Sequence, residues 1–150
     1  MNTLVIRQLG EIRQFRLFKG GYHLEGKQLS ISVETRADQW EAPYYVLISL
    51  VNYPIGEAAL ETGARFTFND DHATTGWDDE NTHANVYYDF HAEKVKLTVE
   101  VLAAAADTLT VRLSVATEHY RQGNRNSKPN PILGVFQLPQ RPKSELWIPT

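Results

Sequence analysis

Residues Lys94–Ala116 read KVKLTVEVLAAAADTLTVRLSVA. Val95, Leu97, Val99 and Val101 alternate with Lys96, Thr98 and Glu100; after Ala103–Asp107, Leu109, Val111, Leu113 and Val115 alternate with Thr110, Arg112 and Ser114. Successive side chains of an extended chain point to opposite faces, so each run has one apolar and one polar face. Two such runs joined by a short turn predict an antiparallel hairpin that covers a core with the odd-numbered residues and meets water with the others.

Working outward, the same alternation recurs between turn signals. Thr3–Gln8 and Ile12–Phe18 read as strands broken near Gly10, and Gly20–Gly21 reads as a turn. Leu29, Ile31 and Val33 alternate with Ser30, Ser32 and Glu34, giving a strand with one apolar face. Tyr44–Tyr53 is apolar on both faces, the mark of a central strand. Pro54–Gly63 has turn residues at its ends and helix formers between, enough for one short helix. Arg65–Asn69 alternates through Phe66 and Phe68; Asp70–Asn81 is polar and reads as a loop; Asn85–Phe90 returns to a strand. His119–Pro131 reads as a loop and Ile132–Leu138 as the last strand, and prolines take the tail from about residue 139 out of any sheet interior. The expected fold is therefore all-β, an antiparallel β-sandwich of about eight strands, with an up-and-down β-barrel as the alternative. The 150 residues make one domain with a loop-like C-terminal tail.

Composition removes several chemistries. There is no cysteine, which rules out disulfides, thiolate metal sites and cysteine nucleophiles and agrees with a reducing cytoplasm. Neither a basic leader with an apolar run of about 7–15 residues nor a span of about 18–20 apolar residues is present, so the expected protein is soluble and cytoplasmic, without a membrane partner. The net charge of −3 disfavours nucleic acid. That charge is unevenly spread: residues 57–83 hold one basic and seven acidic side chains, a net of −6, and both flanks are slightly basic.

The segment Asn69–Asn81, NDDHATTGWDDEN, carries most of this charge around a tryptophan. Its aspartates stand in adjacent pairs, not at the alternating positions of an EF-hand loop, so a solvated or partner-binding loop is the better reading than calcium. Tryptophan is enriched among interface anchors, and clustered carboxylates attract a basic surface. The candidate partner-binding residues are Asp70, Asp71, Trp77, Asp78, Asp79 and Glu80. A zinc site would need His72, His83 and His91 to converge, and no HxH or HExxH spacing brings them together. No GxSxG, GxxxxGK[ST] or GxGxxG is present. The aromatic residues Trp40, Tyr44, Tyr45, Tyr53, Tyr87, Tyr88 and Trp147 fit strand packing better than a sugar platform.

The expected function is that of a non-catalytic protein, without cofactor or metal, that recognises a basic protein partner through its acidic loop. Small acidic inhibitors of the immunity type, which cover a basic active face, are the same physical kind. The alternatives are a carbohydrate- or small-ligand-binding β domain and a metal-dependent hydrolase.

Overall fold

The computed structural model describes residues 1–8, 11–38, 45–56, 60–72, 81–88, 90–120 and 130–148. Its strands are β1 (Thr3–Gln8), β2 (Glu11–Glu25), β3 (Gln28–Arg36), β4 (Tyr45–Pro54), β5 (Arg65–Asp71), β6 (His83–Tyr88), β7 (Phe90–Ala104), β8 (Thr108–Tyr120) and β9 (Asn130–Pro139). One 3-10 turn, Lys143–Glu145, follows. Among the described residues no helix is long and apolar enough to cross a membrane.

All pairings between these strands are antiparallel. β1, β2, β3, β4, β6, β7, β8 and β9 follow one another around a ring, and β9 returns to β1, with Thr3 opposite Val135 and Ile6 opposite Ile132. A sandwich keeps two sheets with separate edges; hydrogen bonds between the first and last strands instead roll the sheet into a nearly closed barrel. The expected sandwich is thus corrected to its alternative. Among the described residues the ring is weakest between β6 and β7, which share two residue pairs, Tyr87 with His91 and Tyr88 with Phe90. Beyond that point β7 takes β5 as its neighbour, from Arg65 opposite Glu100 to Asp71 opposite Lys94. β5 therefore fills the gap where β6 and β7 part.

The hairpin has the expected register and facing. Leu97 lies opposite Val115, Val99 opposite Leu113 and Val101 opposite Val111, and all six are buried. They meet Leu4, Ile6, Phe15, Ile31, Val33, Ile48, Leu50, Val86, Phe136 and Leu138 in one core. β4 is covered on both faces, as its unbroken apolar run predicts.

Gly20–Gly21 is not a turn. Both residues lie inside β2, which runs unbroken past them. A Cβ on Gly20 would stand 3.0 Å from Leu138 Cδ2 and one on Gly21 2.8 Å from Arg141 Cδ, so these glycines admit close neighbours. Phe90 likewise opens β7 and does not close the preceding strand. The short helix expected over Pro54–Gly63 falls partly on residues 57–59, outside the described residues.

The tail crosses the outer face of β2–β4. Arg141 donates its backbone N–H to Tyr22 O and its Nε–H to Gly20 O, Lys143 Nζ donates to Asn52 Oδ1 at 2.6 Å, and Trp147 N–H donates to Ser32 Oγ at 3.0 Å. Ser30 and Ser32, expected on a watered face, are consequently buried.

Candidate functional site

The acidic segment begins inside β5. Phe66 and Phe68 face the core, and strand parity carries that facing on to Asp70; His72, the first residue past β5, is buried beside it. Both side chains are buried, at 4% and 1% exposure. Asp70 Oδ2 accepts the backbone N–H of Ala84 at 2.9 Å. His72 lies 2.8 Å from Ala84 O through Nε2, and because a carbonyl only accepts, Nε2 carries the proton and donates. The Asp70 carboxylate also stands 3.7 Å from His72 Nδ1. Ala84 thus has both backbone polar groups held by side chains from the end of β5.

This arrangement closes a seam. Buried backbone groups need partners, and among the described residues β5 and β6 share no backbone ladder. Asp70 and His72 replace that ladder with side-chain bonds. They also bring together the two ends of the stretch between His72 and Ala84, which contains Trp77, Asp78, Asp79 and Glu80. Those four candidate residues lie outside the described residues.

Asp70 was expected on a solvated loop and sits instead in the wall of the barrel. Asp71, next along, faces the other way, half-buried opposite Lys94. A depression of about 380 Å³ runs beside them, lined by Asn69, Asp70, Asp71, Lys94, Val95, Lys96 and Ala116. The two lysines place positive charge at the foot of the acidic segment.

The remaining sequence candidates disperse. His72 turns inward to Ala84, His83 lies 2.6 Å from Asn85 Nδ2 on the outer side of β6, and His91 packs against Tyr87 and Trp147. Among the described residues no three His, Asp or Glu side chains gather as metal ligands. Trp40, Tyr44 and Trp77 lie outside the described residues. Of the other aromatic residues, Tyr53 stacks on Phe66 beside the core, Tyr45 stacks on Tyr87, and Tyr88 is buried in the bore.

A buried polar cluster outside the ring had no sequence signal beyond its residue types. Asn85 donates from Nδ2 to Ser49 Oγ at 3.2 Å and to His83 Nδ1, and all three are buried. A serine nucleophile needs a base within hydrogen-bond reach; Ser49 Oγ meets the Asn85 amide instead. Ser30 Oγ accepts the N–H of Asn52, which has φ of 55° at the irregularity between β3 and β4. These side chains fasten β3, β4 and β6 and seat the tail.

No family model, curated protein or solved structure matches the chain.

Proposed function

We propose that this chain is a non-catalytic binding protein that presents its acidic segment to a basic protein surface, in the manner of an inhibitor. The observation that carries the reading is the Asp70–His72 clamp on Ala84. It holds both ends of the Trp77-bearing stretch against a rigid barrel wall. A segment tethered at both ends loses less conformational entropy on binding than an open tail. Its carboxylates accelerate encounter with a basic partner and make that rate depend on salt.

The filled bore supports the same reading. Leu4, Ile6, Phe15, Phe136 and Leu138 are fully buried within it, so these residues leave the outer surface and the barrel's ends for recognition. The test compares proteins retained from a lysate of the source organism by the wild-type chain and by a variant carrying Asp71→Asn, Asp78→Asn, Asp79→Asn and Glu80→Gln. A basic protein held by the first, released by salt and lost from the second supports the proposal. Equal retention by both folded chains refutes it. Trp77→Ala should raise the dissociation rate of that partner more than it lowers the association rate.

A further inference from the structure

The C-terminal tail stands off the outer face of the barrel between two anchors. At one, Arg141 donates its backbone N–H to Tyr22 O at 2.9 Å and its Nε–H to Gly20 O at 3.0 Å. At the other, Trp147 N–H donates to Ser32 Oγ at 3.0 Å. Between them the 3-10 turn closes on itself, with Glu145 N–H on Pro142 O and Leu146 N–H on Lys143 O. The floor beneath is low, because Gly21 lies opposite Ser32 in the β2–β3 register and neither has a long side chain. A cavity of about 230 Å³ is left under the arch, lined by Lys19, Ser32 and Glu34 on the sheet and by Ser144–Trp147 on the tail.

The register of β2 against β3 slips between Leu17 and Lys19. This bulge takes Lys19 out of the inward parity of Phe15 and Leu17 and stands it beside Glu34 on the outer face. Lys19 and Glu34 are directly opposite, where Cβ atoms lie about 4.5–5.5 Å apart, yet they do not pair. Glu34 turns to Arg36 at 3.5 Å, and Lys19 makes no ion pair among the described residues. Glu145 stands on the tail side, 3.6 Å from Arg141. The buried Ser32 hydroxyl receives Trp147 N–H through its oxygen, and its own proton has no acceptor among the described residues. We propose that this cavity binds a small free α-amino acid, its carboxylate on Lys19 Nζ and Ser32 Oγ–H and its ammonium on Glu34 and Glu145.

Unpaired groups of opposite sign side by side suit a zwitterion. A simple anion at Lys19 would meet two carboxylates, and a simple cation at the carboxylates would meet Lys19. An α-amino acid carries both charges on one carbon and answers both. Each carboxylate keeps acceptor capacity beyond its arginine, since it offers about four lone-pair sites. Volume limits the ligand: about 230 Å³ lies below the roughly 300–1,000 Å³ of pockets for drug-sized molecules. Leu146, itself buried, supplies an apolar wall for a short side chain. The site belongs to β2, β3 and the tail, apart from the β5–β6 seam, so failure of either proposal leaves the other standing.

The test titrates the ¹⁵N-labelled full chain with L-valine, and with isovalerate (no ammonium) and isobutylamine (no carboxylate) as its two halves. The backbone amide resonances of Ser32, Ser144 and Leu146 and the heat of binding are followed. Valine should half-saturate one site below about 10 mM, move those amides together, and bind about tenfold or more tightly than either half. Lys19→Met should weaken it about tenfold and Glu34→Gln several-fold. Both side chains lie outside the core, so both variants should fold. Lys96→Met, exposed on β7, should leave the affinity unchanged. Absence of saturation, saturation that leaves those amides unmoved, either half binding as tightly as valine, or a folded Lys19→Met with unchanged affinity would each overturn the proposal.

Discussion

Asp70→Ala should open the seam between β5 and β6 without unfolding the barrel. Ala84 is fully buried, so removal of the carboxylate leaves its N–H without the acceptor now at 2.9 Å. A buried donor left unsatisfied costs about 1–3 kcal/mol, and a hydrogen bond to a charged group contributes about 1.5–3 kcal/mol. These figures describe one loss and are not added. Burying the carboxylate has its own desolvation cost, which alanine relieves, so the net should be about 2 kcal/mol. In a domain of this length that lowers Tm by roughly 4–8 °C. Asp70→Asn retains an oxygen that can accept the same N–H as a neutral bond, worth about 0.5–1.5 kcal/mol, and should lose about half as much.

Amide exchange gives the sharper assay, because protection varies from one part of a fold to another. The Ala84 amide should lose protection in Asp70→Ala, while those of Val99 and Leu113 remain slow. β5 stays attached through its pairing with β7, so far-ultraviolet circular dichroism should be preserved. An Ala84 amide as protected as in the wild type, or an Asp70→Asn protein as unstable as Asp70→Ala, would refute the clamp.

Other outcomes follow from the core and the tail. Leu113→Ala removes a buried side chain and should destabilise by about 2–5 kcal/mol, whereas Thr110→Ala on the outward face should have little effect by thermal melting. Gly134→Ala places a Cβ 2.5 Å from Phe136 Cε2 and 3.0 Å from Thr3 O, an overpacking that should lower stability by about 1–3 kcal/mol in denaturant titration. The Tyr22 phenol is held above its ordinary value of 10.0 by burial and then by Asp107. Its folded state keeps the proton longer than its unfolded state, so this contribution is complete below pH 10 and fades as pH rises through the folded value. Phenolate absorbance should show Tyr22 ionising late, and Tyr22→Phe should flatten that alkaline decline in stability.

How much could be read without coordinates depended on whether parity or composition decided each stretch. β1, β4 and the β7–β8 hairpin were legible because their alternation or unbroken apolar runs reflect burial directly. Closure of the ring was not: the bonds from Thr3–Ile6 to Ile132–Val135 join the two ends of the chain, and no local pattern encodes that distance. Gly20–Gly21 misled because glycine serves turns and close packing alike, and only the positions of Leu138 and Arg141 distinguish them. Ser30 and Ser32 match a watered face by residue type; the tail that covers them lies more than a hundred residues away.

Asp70 is the most instructive of these residues, because the needed signal was present and composition outweighed it. Phe66, Phe68 and Asp70 continue one period-2 series along β5, and parity alone assigns Asp70 to the inner face. A carboxylate and an imidazole look like loop residues until one asks where the backbone groups of the strand opposite find partners. This answer also changes the electrostatics of recognition. On the proposed reading, Asp70 is held inside the wall at Ala84 N–H, and the carboxylates left to meet a basic partner are Asp71 and the acidic residues beyond His72. Neutralising Asp70 should therefore act on stability far more than on the salt dependence of association, while neutralising Asp78 and Asp79 should do the reverse. Measuring both effects in the same two variants separates a residue that builds the platform from residues that use it.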